Sequence, residues 1–467
     1  MSIKKQILSG TFFIASAKYI SVGANILVTA ILARIIPPEM FAIVAITSVI
    51  SNFFNLFSDF GIAAAIIQKQ DLDRNDYRNI FSFCVYAGIA LSSLFFTSSY
   101  LFEFIYKNDE LGTLIQLLTL QVFFISLNIT PNALIIKAKN FGFIAVRTII
   151  TSIVTGIIAI VAALNGCGIF SLLIIPILTA ILQFIINYIR IGGLRFYLQP
   201  QWQSLQKIFS YSGYNLLYNI INYFSRNLDT LIIGKFMPFK ELAFYEKSYT
   251  LMLMPIQNII SVVNPVIHPV LSKYQNDSSY IYTFFAKTSR LFAWIGFPLS
   301  VILHAYSTET IIILLGHEWT NAIPIFSIFA LSIGFQFIYT LQGPFFLVSN
   351  APKRMFIYGT ITMLLNTTAL LIGLFIFKST VSIATCIGIS YILSAIFTFY
   401  PIYKHHFKVN YINFFKNIQE PIYYSIVYLI ILYSLQQYFT STFVMISKAC
   451  ITIILAAFTV FNVKKHL

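Results

Sequence analysis

Two ionised side chains of opposite sign, Arg226 and Asp229, stand in a run (208–234) that is otherwise apolar and long enough to cross a bilayer. A charge at that depth costs about 3 kcal/mol even on the milder scales, so such residues face a cavity, a partner or a substrate. Their spacing of three puts both on one face of a helix. Lys18 lies ~15 Å into the run 8–33, and Asp59 lies roughly 12 Å from the inner end of the run 40–67, at 1.5 Å of rise per residue. Arginine stays charged at any accessible pH and clamps phosphate through two parallel hydrogen bonds. Arg226, with Lys18, therefore suits an anionic, phosphate-bearing cargo. Asp229 and Asp59, with Glu39 and the histidines, are the groups able to carry a coupling proton or cation. The bland alternative pairs these ions off, Arg226 with Asp229 and Lys18 with Asp59. Amides such as Asn25 and Asn222 accompany them, serving equally as glue between helices or as contacts for sugars. His268 and His304 stand singly in or near the spans and read as hydrogen-bonded interior histidines, with proton carriage as the alternative.

The elements that hold these residues follow from composition. Of 467 residues, 58% are hydrophobic and only 10% charged, where a soluble domain carries roughly a quarter charged. Charge clusters cut the chain into apolar runs at 8–33, 40–67, 80–102, 111–136, 143–164, 168–189, 208–234, 249–271, 288–308, 322–348, 355–377, 381–402, 421–439 and 443–463. Each is near the ~20 residues that a transmembrane helix needs. The runs are continuous rather than alternating, which excludes an outer-membrane barrel. The expected fold is an all-α integral membrane protein of about fourteen transmembrane helices. The first run follows Lys4 and Lys5, is too long for a signal-peptide core, and is expected to stay as the first helix. No connection is long enough to hold a soluble domain.

Orientation follows the Lys and Arg residues. With fourteen alternating helices and a cytoplasmic N-terminus, the cytoplasmic segments, Arg147 among them, hold most of the bases, and both termini are cytoplasmic. The opposite side holds Arg34, Lys107, Lys235, Lys240, Lys247 and Lys378. Loop 235–248 is the exception, with three lysines on the outer side. The chain also repeats weakly: LARIIPPEMFA (32–42) matches IGKFMPFKELA (233–243), and PNALIIKAKNF (131–141) matches PFFLVSNAPKR (344–354). The repeat gives a six-helix lobe at 1–190 and another at 208–405, an interfacial cytoplasmic connector at 191–207, and two further helices in 406–467. An even number of helices per half relates the lobes by an axis along the membrane normal. Pro255, Pro265 and Pro269 suggest a helix that bends.

Enzyme signatures are missing from the sequence. No GxxxxGK[ST] loop cradles nucleotide phosphates and no HExxH or Cys/His set holds a metal. Cys84, Cys167, Cys386 and Cys450 are scattered, without metal or redox spacing. The net charge of +15 is spread over helix ends rather than gathered in one stripe, so a bilayer and its lipids, not nucleic acid, account for it.

SRNLDTLIIGKFM (225–237), YEKSYTLMLMPIQNI (245–259) and PVIHPVLSKYQND (265–277) resemble the seventh and eighth helices of O-antigen flippases. ILARIIPPEMFAIVAI (31–46), FSDFGIAAAIIQKQDL (57–72) and the GHEW turn (316–319) are similar to the same family. It belongs to the multidrug/oligosaccharidyl-lipid/polysaccharide exporter superfamily, and the resemblance spans most of 1–405. The resemblance implies a MATE-like pair of six-helix lobes around a cationic cavity in the bacterial cytoplasmic (inner) membrane. It implies alternating-access transfer of an undecaprenyl-pyrophosphate-linked oligosaccharide to the periplasmic leaflet, coupled to H+ or Na+, without a cofactor and without catalysis. A polysaccharide polymerase and a chain-length regulator are implied partners in O-antigen, lipopolysaccharide or capsule synthesis. Arg226 and Asp229 match the family's SRNLD and Asp59 its SDxG; the role given to Lys18 rests on its depth alone. The chain departs from the pattern at Ala243-Phe244. Two other readings are a cation-coupled drug or metabolite exporter of the same fold, and a membrane polysaccharide polymerase or ligase. The last needs a sizeable outer loop with catalytic bases, and the outer loops here are short.

Overall fold

The computed structural model describes residues 3–59, 61–69, 71–209, 213–271, 277–348 and 352–438, with 452, 455 and 459. Among the described residues there are helices and no strands, as a bilayer demands of a chain that is not a closed barrel. The helices are α1 (Ile3–Ile35), α2 (Pro38–Asp59), α3 (Ile62–Gln68), α4 (Arg74–Tyr106), α5 (Asp109–Lys137), α6 (Phe141–Leu164), α7 (Phe170–Arg190), α8 (Trp202–Phe209) and α9 (Gly213–Phe236). They continue with α10 (Phe239–Leu271), α11 (Ser278–Ala305), α12 (Ser307–Leu314), α13 (Ala322–Tyr339), α14 (Gln342–Val348), α15 (Pro352–Leu371), α16 (Thr380–Pro401) and α17 (Ile412–Tyr438).

Every expected span but the last corresponds to one of these helices; the run 443–463 lies outside the described residues except at 452, 455 and 459. Nine helices among the described residues are both long and apolar enough to cross a membrane. The protein is thus a multi-pass membrane protein. Helices α9, α10 and α17 are also long enough, at 24, 33 and 27 residues. Three runs are broken; the tenth stops at Tyr339 and resumes as α14 at Gln342. The second stops at Asp59 and restarts as α3 after Gly61, whose φ of 76° favours glycine. The ninth begins ten residues earlier than its hydropathy indicates, at Ser278, and turns through 74° between α11 and α12. Helix α10 is unbroken through Pro255, Pro265 and Pro269.

Helix ends carry their own signals. Asp73 caps α4 by accepting from the Asp76 amide at 2.6 Å, while Asp76 accepts from the Asp73 amide at 3.2 Å. Asn108, Asp277 and Ser379 cap α5, α11 and α16. At the other ends, Lys107 and Lys139 after α4 and α5, and Lys378 and Lys408 after the π-helical turns (Ile372–Phe377 and Ile402–Phe407) that extend α15 and α16, take left-handed φ values of 53° to 55°. A cation there meets the negative end of the helix dipole, which offsets the ~1 kcal/mol cost of that conformation.

The chain forms two compact units, Met1–Ala243 with Leu314–Glu318, and Phe244–Ile313 with Trp319–Leu467. In the first, α5 packs along α4 and α7, and α1 along α6. Gly156 of α6 lies so close to α1 that an added Cβ would come within 2.5 Å of Val28. The segment between α7 and α8 is strapped to α4. The Tyr197 amide donates to Ser82 Oγ at 2.8 Å, the Gln201 amide to Asn79 Oδ1 at 3.1 Å, and the Tyr86 hydroxyl to the Leu198 carbonyl at 2.8 Å. In the second unit, α13 packs between α11 and α16. An added Cβ on Gly334 of α13 would lie 2.3 Å from the Phe297 ring of α11.

One base counted toward the cytoplasmic segments is buried rather than solvated. Arg147, assigned to a cytoplasmic segment, lies inside α6 and is 7% exposed. Its guanidinium donates from Nη1 to Asn132 Oδ1 at 3.0 Å and to Asn187 Oδ1 at 2.6 Å, and Asn187 donates to Asn128 Oδ1 at 2.8 Å. Asn128 and Asn132 are one turn apart on α5, and Asn187 is on α7, so a charge on α6 is held by amides from both neighbours. Removing it leaves those amide oxygens buried without a donor. Arg147→Ala is expected to destabilise the detergent-solubilised protein by about 2 kcal/mol, and Arg147→Lys by less, read as a lowered unfolding temperature.

Candidate functional site

Arg226 lies near the middle of α9. It is ten residues (236 − 226) from Phe236, or about 15 Å along the axis. The side chain is exposed.

Helix α9 is fastened to the first unit. The Tyr223 hydroxyl donates to the Val49 carbonyl of α2, and the Tyr106 hydroxyl of α4 donates to the Leu231 carbonyl at 2.9 Å. Phe53 of α2 meets Tyr223 and Phe224 at centroid distances of 6.2 and 5.2 Å. At 3.6 residues per turn, Tyr223, Asn227, Thr230 and Gly234 fall within an arc of about 60°. Arg226 and Asp229, about 60° apart, fall to one side of that arc. The packing that anchors α9 thus leaves its charged positions out of the seam. Asn227 is turned back on its own helix, donating to the Tyr223 carbonyl at 2.8 Å.

The other expected residues are placed as follows. Asp229 is half-buried and accepts from the Thr230 amide at 2.8 Å. Lys18 is half-buried on α1, and Asn25 is exposed two turns further along. Asp59 ends α2 and Asn222 lies on α9; their side chains fall outside the described residues, as do those of His268, Pro265 and Pro269. The ion pairs found among the described residues join Lys240 to Glu39 at 3.4 Å, Lys247 to Glu246 at 3.4 Å, and Arg290 to Glu420. Arg226 belongs to none of them.

The three lysines of segment 235–248 also have partners. Lys235 donates to the Ile105 carbonyl, Lys240 pairs with Glu39 and Lys247 with Glu246, so each of its three lysines is engaged. The repeat is visible at the same place. The Ile36 amide donates to Leu32 O at 2.9 Å and the Met40 amide to Pro37 O at 3.2 Å. Two hundred and one residues later (36 + 201 = 237), the Met237 amide donates to Ile233 O at 2.8 Å and the Glu241 amide to Pro238 O at 3.0 Å. The α1–α2 and α9–α10 turns therefore share one hydrogen-bond pattern, and they touch through Glu39 and Lys240.

The fold is that of the MOP-superfamily transporters. A lipid II flippase MurJ in an inward closed conformation aligns with a TM-score of 0.73 at 16% identity, covering 96% of this chain and 98% of that one. An inward-facing multidrug-resistance MATE transporter of the MOP superfamily aligns at 0.63 and 12% identity, covering 81% and 93%. Residues 31–324 match the family model described as "Polysaccharide biosynthesis protein", and the chain belongs to that family. Among its relatives, the lipopolysaccharide biosynthesis protein WzxC of Escherichia coli (strain K12) is 26% identical over 341 residues, 70% of this chain and 66% of that protein. The teichuronic acid biosynthesis protein TuaB of Bacillus subtilis (strain 168) is 22% identical over 344 residues, covering 71% and 68%. The matches thus span about two thirds of these relatives.

Arg147 and its three asparagines escaped the sequence reading because Arg147 stands beside other bases at a helix end. The available signal was the pair Asn128 and Asn132, four apart in an apolar run. A tighter constraint holds α9: a Cβ on Gly234 would lie 2.6 Å from Ile46 of α2 and 3.1 Å from Leu242. Gly234→Leu is expected to force α9 off α2 and to cost about 2 kcal/mol, measured as a fall in unfolding temperature in detergent.

Proposed function

We propose that the protein is a flippase for undecaprenyl-pyrophosphate-linked oligosaccharide repeat units in the bacterial cytoplasmic membrane, serving O-antigen, capsule or a related surface polysaccharide. The observation that carries this reading is the family match over 31–324, which takes in α9 and its exposed, mid-depth Arg226. The names of the relatives, lipopolysaccharide and teichuronic acid biosynthesis, support a surface polysaccharide as the end product. A guanidinium at that depth needs water or an anion beside it, and a pyrophosphate supplies the anion in bidentate geometry.

In this mechanism two lobes, 1–190 and 208–405, rock about the connector 191–207, while 406–467 stands outside the exchange. Arg226 and Lys18 hold the pyrophosphate, and Asn25 and Asn222 contact the sugars. Asp229 and Asp59 exchange H+ or Na+. Both termini are cytoplasmic, a polymerase and chain-length regulator receive the cargo, and no covalent bond is made or broken.

The test is Arg226→Ala beside Arg226→Lys in a strain lacking the native gene. The alanine variant is expected to reach the membrane at normal level, lower surface polymer about tenfold or more, and accumulate lipid-linked repeat units on the inner leaflet. The lysine variant is expected to keep part of the activity, since it retains charge but not the fork. Normal polymer from the alanine variant would remove Arg226 from the mechanism.

A further inference from the structure

The α11–α12 break in the second unit opens a cavity of about 300 Å³, lined by His304, Ser307, Thr308, Glu309, Ser327 and Tyr433 with a few apolar neighbours. The helix axes change direction by 74° there. His304 is gripped at both ring nitrogens. Its Nδ1 lies 3.0 Å from the Ser327 carbonyl oxygen and 2.9 Å from Ser327 Oγ, and its Nε2 lies 2.9 Å from the Tyr433 hydroxyl. A carbonyl oxygen only accepts, so Nδ1 carries the hydrogen and Nε2 of the neutral ring accepts from Tyr433.

A second proton has a ready place. Protonated Nε2 donates to the same Tyr433 oxygen once its O–H has turned away, and no heavy atom need move. Glu309 lies in the first turn of α12. One of its carboxylate oxygens is shielded from solvent. Among the described residues, the other titratable groups near the cavity are phenols: Tyr433 and Tyr428 on α17, and Tyr306 at the break. Tyr428 and Tyr306 both reach the Thr452 hydroxyl, at 2.7 and 3.1 Å. Helix α13 contributes only Ser327 to the lining.

From this geometry we infer that the α11–α12 break is a proton-binding site, in which His304 takes the proton on Nε2 and Glu309 balances the imidazolium charge. The cavity has both parts that a membrane proton site needs: a base whose two states are both hydrogen-bonded, and a carboxylate lining the same space. On the orientation proposed above, the break lies at the outer end of its span, so protons enter from outside. That last point alone rests on the transport reading.

The experiment is ring-carbon NMR of the full-length protein in nanodiscs with ¹³C-labelled histidine, one of six such residues being His304. One ring is expected to titrate reversibly between about pH 5 and 8 and to vanish in H304N. In E309Q its midpoint is expected to fall by about one unit, a tenfold loss of proton affinity. Should H304N fail to fold, the ring whose shift changes in Y433F makes the assignment. A His304 that stays neutral across that range, or titrates alike in E309Q, overturns the proposal. So does a midpoint displaced by sodium at constant ionic strength, which would assign the cavity to a metal cation. Titration needs no transport, so its failure is distinct from a failure of the flippase reading.

Discussion

Arginine cannot shed its proton to escape an apolar medium, so every arginine inside an apolar helix needs an answer built around it. Two in this protein receive opposite answers. Arg147 is sealed between α5, α6 and α7, where Asn132 and Asn187 accept from its guanidinium and Asn128 supports Asn187. Among the described residues its guanidinium meets amide oxygens rather than a carboxylate, and this makes it a clasp among three helices. Arg226 stands exposed at the middle of α9, while Tyr223 and Phe224 take up the packing beside it. The first arrangement belongs to folding. The second leaves a charge available.

What keeps the charge of Arg226 available is the seam between α9 and α2. Gly234 lets the helices approach where any larger residue would strike Ile46. Tyr223 and Tyr106 tie the backbone of α9 to α2 and α4 at points either side of Arg226. The matched turns after α1 and α9 set where this seam starts, because each reverses the chain with the same two hydrogen bonds at a proline. A short repeat of eleven residues thus does more than mark ancestry. It supplies the corner from which the charged helix is aimed.

The second unit handles its polar groups differently. Its core is aromatic, with Phe285 meeting Phe345 at 4.4 Å and Phe399 at 5.4 Å. Its polar enclosure lies at a sharp bend rather than along a helix face. A bend frees backbone groups and leaves space that side chains must fill or line. Here His304, Ser327 and Tyr433 line it, joining three helices through one imidazole. The bend and the hydrogen-bonded histidine are therefore one feature.

Hydropathy by itself determined that this chain is helical, membrane-embedded and many times crossing, because a bilayer allows little else to a run of ~20 apolar residues. The proline turns at 37–38 and 238, and the depth of Arg226, were legible for the same reason: they depend on local order along the chain. The fate of Arg147 was not, since its partners come from α5 and α7 and only packing brings Asn132 and Asn187 to one guanidinium. Nor was the cavity at His304, because the groups that hold its ring are not its neighbours in sequence. Its partners Ser327 and Tyr433 lie 23 and 129 positions away. Which buried polar groups are satisfied, and which remain open to a ligand, is a property of contacts between helices, and one-dimensional order cannot express it.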